Sequence, residues 1–241
     1  MEYNSRLKEI VAVLRKHSIT KGVTPLKLRE IIEDLGPTFI KLGQIMAMHS
    51  DILPKRYCDE LMQLCSDVKP MPFEEVLSVI EESYGRSWRR VFSHIDESCQ
   101  GAASIAQVHA ATLADGRQVV VKVLRPDMEG VIAHDLALLD TLAGLLENLW
   151  SDGKRLRPRE VVAEFSKYLY DELDLMREAA NCSQLRRNFA DSKLLLVPEV
   201  FWDHCTTTVM VMERMHGVPI NQVERLRSAG VDIKQLARDG V

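Results

Sequence analysis

The 241-residue sequence lacks an apolar run of the roughly 20 residues that a membrane-spanning helix needs. Its first ten residues, MEYNSRLKEI, carry charges where a secretory signal requires an uninterrupted apolar stretch. An excess of positive charge is also missing, since 31 Lys and Arg residues face 35 Asp and Glu residues. Nucleic-acid-binding proteins usually carry a strong positive field, so no nucleic acid partner is expected. We therefore predict a cytoplasmic protein.

Cysteine pairs at metal-binding spacing are absent too. The five cysteines are Cys58, Cys65, Cys99, Cys182 and Cys205. They are odd in number, widely spread and form no C-x-x-C pair, so neither a disulfide framework nor a zinc site is indicated. A reducing compartment fits this usage best.

Residues 1–95 are predicted to form a helical extension, because no strand-like alternation is sustained there. Thr24 followed by a proline is typical of a helix start. Gly36 is predicted to end that helix and Pro37 to begin the next one. Two later prolines open further helices.

The first helix, within SRLKEIVAVLRKH, leaves two interpretations open. Its apolar residues Leu7, Ile10, Val11 and Leu14 could face lipid at the inner face of the cytoplasmic membrane while its basic residues face anionic head groups. More often such a helix packs on its own protein.

From about residue 98 the apolar period becomes strand-like. SIAQVHAATL and RQVVVKVLR flank the turn pair Asp115-Gly116, which predicts a hairpin. A long helical run follows the hairpin, and a second helix is predicted to run without a break from Pro158 to Phe189. Two strands, EVFWDHC and TTTVMVMER, come next. This order predicts an α+β fold of the protein-kinase N-lobe type.

Three regions follow from this order: a helical extension at 1–95, a kinase-like N-lobe at 96–216, and a hinge with the start of a C-lobe at 217–241. A working kinase-like site needs one aspartate in its catalytic loop and a second, metal-binding aspartate further along the chain. Neither motif is present in the sequence. We therefore expect most of the C-lobe to be missing and the chain alone to be inactive.

Lys122 is the single charge in the valine-rich strand VVVKV. An unpaired buried charge costs several kcal/mol, so a buried ammonium at this position would need an anion. In kinases the anions are a nucleotide phosphate and a helix glutamate. The competing interpretation, of equal weight from the strand alone, is an edge-strand lysine that reaches solvent.

A turn of small residues, Gly101-Ala102-Ala103-Ser104, precedes the hairpin where a kinase places its glycine-rich phosphate loop. Small side chains let a backbone approach phosphates, although alanine narrows that approach. Small residues before a strand are common, so this signal is weak without Lys122.

Four segments carry motif-like sequences: PTFIKLGQ at 37–44, GAASIAQVH at 101–109, VVVKV at 119–123 and DELDLMREAAN at 171–181. Together they resemble the UbiB family of atypical kinase-like proteins, which is linked to coenzyme Q biosynthesis. The resemblance implies that Lys41, Gly43 and Gln44 form a K-x-G-Q motif on a helix covering the nucleotide pocket.

The same resemblance implies roles for the other motifs. Ala102, Ala103 and Ser104 would form an alanine-rich nucleotide loop, and Lys122 would pair with ATP and with Glu178. ATP or ADP with Mg²⁺ is the implied cofactor of the full-length protein. Gly101 departs from the alanine that this loop often carries.

Glu213 and Met215 are assigned to the hinge that contacts the nucleotide, on the position of MERM after the last strand. The resemblance also implies an E-x-D motif at Glu172 and Asp174. Two positions apart on a regular helix, these acids point in nearly opposite directions. Either the helix is irregular there, or the two serve different partners, one of them Lys41. A solvated helix face is the simpler alternative for such acids.

Two functions from different classes remain. The first is the nucleotide-binding part of an atypical kinase or ATPase that supports ubiquinone biosynthesis, with quinone-precursor lipids or quinone-biosynthesis proteins as partners and peripheral membrane contact. The second is a non-catalytic interaction module that binds a protein or lipid partner.

Overall fold

The computed structural model describes residues 2–19, 22–48, 50, 53–65, 69–149 and 157–240. The elements are α1 (Glu2–Lys16), α2 (Pro25–Leu35), α3 (Pro37–Ala47), α4 (Lys55–Leu61), α5 (Phe73–Tyr84), β1 (Phe92–Ala102), β2 (Ala106–Leu113), β3 (Gln118–Leu124), α6 (Met128–Leu149), α7 (Pro158–Glu172), α8 (Leu175–Asn188), β4 (Val209–Glu213), α9 (Val223–Ser228) and α10 (Ile233–Asp239). Short 3-10 segments lie at Met62–Cys65, Trp88–Arg90 and Trp202–His204.

The strands form one antiparallel sheet in the order β1-β2-β3-β4. The predicted hairpin is confirmed as β2 and β3, and the α+β fold with a kinase-like N-lobe sheet is confirmed with it. Strand β1 was not predicted and begins at Phe92, ahead of the expected start of the sheet. Its irregular register against β2 explains why the period-2 signal is weak there.

The sheet has a helix layer on each face. Val119, Val121 and Val123 of β3 lie in one core with Val76 and Ile80 of α5. The opposite face, with Leu124 of β3 and Met210 of β4, packs against α6, α7 and α8. Successive side chains of a strand point to opposite faces, so a run of apolar residues in β3 is what burial on both sides requires.

The second predicted strand pair is only partly formed. TTTVMVMER supplies β4, whereas EVFWDHC contributes a single bridge between Val200 and Met212. The 3-10 turn Trp202–His204 then interrupts this segment. The expectation of a full strand there was wrong.

Helices α1 to α5 precede the sheet, and β1 begins at Phe92, inside the predicted bounds 1–95 of the extension, whose limits stay a prediction. Ile10 of α1 is buried with Ile31 and Leu35 of α2 and Leu138 of α6, and Leu14 packs on the same cluster. Of the two interpretations of this helix, packing on the protein itself holds for Ile10 and Leu14, because both contact the protein's own core. Within the described residues, no helix combines the length and the apolar content that crossing a bilayer requires.

A buried ion pair fixes α1 to α6. Arg6 donates from Nε to Asp135 Oδ1 at 2.6 Å and from Nη2 to the Leu35 carbonyl oxygen at 2.6 Å. The Asp135 carboxylate is 0% exposed, and among the described residues Arg6 is the cation that pairs with it. Burial alone would lower the pKa of Arg6, but its hydrogen bonds to Asp135 and Glu9 outweigh that effect and raise it.

Candidate functional site

The centre of the candidate site is an ion pair between the sheet and a helix. Lys122 of β3 donates to both carboxylate oxygens of Glu178, at 2.7 and 2.6 Å. The lysine side chain is 23% exposed and the glutamate side chain 44% exposed. Lys122 thus lies on the sheet face that packs against α8 and is not surrounded by open solvent. A strand lysine paired with a helix glutamate is the arrangement that protein kinases use to hold nucleotide phosphates.

The alanine-rich turn closes the end of the β1–β2 hairpin. Ala102, the last residue of β1, pairs with Gln107, and the amide of Ala103 donates to the Ala106 carbonyl oxygen at 2.8 Å. Gly101 has open space where a Cβ would stand, so the departure from alanine at this position imposes no steric change on the loop. Ser104 lies at the tip of the loop.

The predicted helix from Pro158 to Phe189 is broken between α7 and α8. Asp174 lies in the break as the N-cap of α8, and its carboxylate accepts a hydrogen bond from the Met176 amide at 3.0 Å. Glu178 is one turn further along α8. The expectation of one continuous helix was wrong, and the break is what frees the two acids of the E-x-D motif to serve different partners.

Glu172, the last residue of α7, receives the lysine of the K-x-G-Q motif. Lys41 Nζ lies 2.8 Å from Glu172 Oε2, and it also lies 5.4 Å from the centroid of the Tyr168 ring. Burial alone would lower the pKa of Lys41, but the hydrogen bond and charge of Glu172 outweigh it and raise the pKa. Helix α3 is therefore held on the end of α7.

Gly43 and Gln44 have different surroundings from Lys41. A Cβ built on Gly43 would stand 2.6 Å from Leu64 Cδ1 and 3.1 Å from Ile32 Cδ1. Glycine is thus needed for close packing within the extension. Gln44 is half-buried on α3, and its side chain makes no hydrogen bond with the part of the chain that the structure describes.

We expect Gly43→Leu to lower the free energy of unfolding by about 1–3 kcal/mol, the usual cost of overpacking a filled core. Gly130→Ala is the matched control, because Gly130 is also helical and no atom lies within 4 Å of the point that an added methyl group would occupy. That control should be neutral or slightly stabilising, since alanine favours helix by about 1 kcal/mol over glycine. Urea denaturation measures both, and equal effects would exclude the packing explanation.

The hinge candidates follow β4. Glu213 ends the strand, accepts a hydrogen bond from the Glu199 amide at 3.1 Å and lies 3.6 Å from Arg186. Met215 is exposed. Their assignment to nucleotide contact stays a prediction.

A magnesium ion at this site would need phosphate oxygens of a bound nucleotide among its ligands. Among the described residues, no three His, Cys, Asp or Glu side chains are grouped as a metal site. Mg²⁺ is commonly held by one or two carboxylates together with substrate phosphates. Lys122 would then contact phosphate, and the ion would take phosphate oxygens among its ligands.

Four further side chains near the motifs were not singled out by the sequence: Gln107, His109, Arg125 and Tyr168. Gln107 and His109 are buried in β2. Their place inside the motif GAASIAQVH was the signal in the sequence that could have identified them. Arg125 and Tyr168 carry no local signal, because their partners are distant in sequence.

This geometry defines a kinase-like N-lobe. The chain belongs to the ABC1 atypical kinase-like domain family, whose model matches residues 63–241. A solved structure of Rv3197 in complex with erythromycin, from Mycobacterium tuberculosis, is similar to 90% of this chain, with 26% sequence identity and a TM-score of 0.58. This chain spans 53% of the length of that protein chain.

Proposed function

We propose that this chain is the nucleotide-binding portion of an atypical kinase or ATPase and takes ATP or ADP with Mg²⁺ beneath the alanine-rich loop. The observation that carries the proposal is the bidentate contact of Lys122 with Glu178, at 2.7 and 2.6 Å. Glu178 orients the ammonium, and the ammonium would meet phosphate oxygens on the same face of the sheet.

The alanine-rich loop would contribute backbone amides rather than side chains. Ala102, Ala103 and Ser104 carry little bulk, so a phosphate could approach the main chain there. Glu213 and Met215 would lie along the base, at the hinge.

The K-x-G-Q helix would restrict access to this site. Lys41, held 2.8 Å from Glu172, keeps α3 close to the α7–α8 junction that also positions Glu178. A phosphoryl acceptor must reach the transferred group in line. We therefore propose, for the full-length protein and not for this chain alone, ATPase-type turnover with little transfer to protein hydroxyls, and coupling to ubiquinone biosynthesis through quinone-precursor lipids or biosynthetic proteins. This coupling rests on the motif resemblance.

Thermal unfolding with and without Mg²⁺ and ATP or ADP tests nucleotide binding, because a ligand that binds only the folded state raises the melting temperature. Lys122→Met should weaken binding roughly 10–100-fold, since a hydrogen bond to a charged group is worth about 1.5–3 kcal/mol. Glu178 is 44% exposed and can be solvated when its partner is removed, so the fold should survive.

Lys193→Met is the matched control, because Lys193 is exposed. Its melting curve should shift with nucleotide as the wild type does. No shift of the wild type at millimolar nucleotide would rule out a formed site, and equal shifts in the wild type and Lys122→Met would rule out the role of the lysine.

A further inference from the structure

The segment that joins the helical extension to α5 is bound to the sheet by a buried glutamine. Met71 donates its amide to Gln107 Oε1 at 2.8 Å, and Gln107 Nε2 lies 3.4 Å from the Met71 carbonyl oxygen. Gln107 is 1% exposed. The carboxamide thus pairs with the Met71 backbone as a neighbouring strand would. We call residues 69–71 the linker.

Arg125, just beyond β3, joins the linker to the alanine-rich loop. Its Nε donates to the Ala103 carbonyl oxygen at 3.1 Å, and its Nη2 donates to the Lys69 carbonyl oxygen at 2.9 Å. Its backbone amide donates to the Ile105 carbonyl oxygen at 2.8 Å. One planar guanidinium therefore connects two segments, the linker and the alanine-rich loop, that are far apart along the chain.

Arg125 lies one residue beyond the end of β3, and its guanidinium reaches the linker, whereas Lys122 lies within β3 and contacts Glu178 of α8. Among the described residues no carboxylate lies within ion-pair distance of the Arg125 guanidinium. Burial lowers its pKa. The guanidinium is thus directed at two carbonyl oxygens and not at an acidic partner.

We propose that Arg125 is a positioning residue that sets the shape of the alanine-rich loop according to the position of the linker, and so connects the K-x-G-Q extension to the nucleotide site. The functional part of this inference rests on the proposed nucleotide binding. The Ala103 carbonyl oxygen accepts from Arg125 while the Ala103 amide closes the loop on Ala106. Loss of the hydrogen bond from Arg125 would let the Ala103 peptide group move, and this group borders the proposed phosphate site.

The coupling must work in both directions, because the free energy that links two sites is reciprocal. A docked linker favours the ordered loop, and a nucleotide that orders the loop favours the docked linker. Met71 does not touch the proposed phosphate site, yet its amide should exchange more slowly when nucleotide is bound.

Hydrogen exchange of the nucleotide-free 241-residue chain tests the physical connection. Arg125→Met should speed amide exchange in both the loop, at Ala103, and the linker, at Met71, by roughly 3–10-fold, as expected for the loss of one solvent-exposed hydrogen bond at each end. Arg125→Lys should not restore slow exchange at both sites, because one ammonium group cannot replace a guanidinium that donates to two separate carbonyl oxygens. Arg90→Met, at an exposed arginine, is the matched control and should change neither segment.

The second arm adds nucleotide. Saturating MgATP should slow exchange at Met71 in the wild type and in Arg90→Met, and should leave it unchanged in Arg125→Met. Arg125→Met should also bind MgADP roughly 3–10-fold more weakly, at a nearly unchanged melting temperature without nucleotide.

Faster exchange at the linker alone, with the loop unaffected, would reduce Arg125 to a local structural contact and overturn the proposal. The proposal is equally overturned if Arg125→Lys restores loop exchange, linker exchange and MgADP affinity together. If the wild type binds no nucleotide, the proposed function fails, and exchange in the nucleotide-free protein still decides whether loop and linker are connected.

Discussion

Arg6→Met is expected to lower the free energy of unfolding by about 3–5 kcal/mol, the usual cost of leaving a buried charge without its partner. Asp135 is 0% exposed, and Arg6 contacts both of its carboxylate oxygens, at 2.6 and 3.2 Å. The same arginine also donates to the Leu35 carbonyl oxygen. The substitution therefore removes the cation of α1 that pairs with the buried Asp135 carboxylate of α6. Urea denaturation followed by circular dichroism measures the change.

The double variant Arg6→Met/Asp135→Leu separates the ion pair from general packing. Replacing both members of a buried pair with apolar residues is often neutral or stabilising, so this variant should recover most of the lost stability. Lys8→Met, at an exposed position on the same helix, should change stability by less than about 0.5 kcal/mol. A double variant no more stable than Arg6→Met would contradict the electrostatic explanation.

Gln107→Met is expected to lower the free energy of unfolding by about 2–4 kcal/mol. The substitution leaves several buried polar groups without a hydrogen bond, at a cost of about 1–3 kcal/mol each. Gln107 serves the amide and carbonyl of Met71 and lies 2.7 Å from His109 Nε2. His109 Nδ1 lies 2.7 Å from the Asp96 carbonyl oxygen, so Nδ1 carries the proton and Nε2 accepts from Gln107. Methionine matches the length of glutamine and can fulfil none of these contacts.

The matched control is Gln118→Met, on the neighbouring strand with its side chain exposed. It should be nearly neutral in the same urea titration. In Gln107→Met the linker amide at Met71 should also lose most of its protection from exchange. Full protection of Met71 at wild-type stability would show that the carboxamide does not hold the linker.

Local patterns were sufficient for much of the fold. The apolar period of β3, the turn after β2 and the capping residues of α2 and α3 predicted elements that the structure contains. Lys122 was singled out because one cation among valines needs an anion, and Glu178 supplies it in the structure. The expected roles of both residues toward a nucleotide remain predictions.

Other features depend on contacts that no window of sequence contains. The break between α7 and α8 is stabilised at the start of α8 by the Asp174 cap and by the Leu175 amide, which donates to the Thr207 carbonyl oxygen. Helical period alone favoured one continuous helix across it. β1 was missed because its register slips against β2, and its pairing is what makes it a strand.

The amino-acid sequence by itself determined which stretches are helical or extended and which cation needs a partner, since propensity, periodicity and the cost of burying a charge act over a few residues. Only the tertiary structure decided that Lys41 meets Glu172 and that Arg125 joins Ala103 to Lys69. Such pairs lie far apart along the chain, and packing of whole helices and strands brings their few donors and acceptors within hydrogen-bond distance.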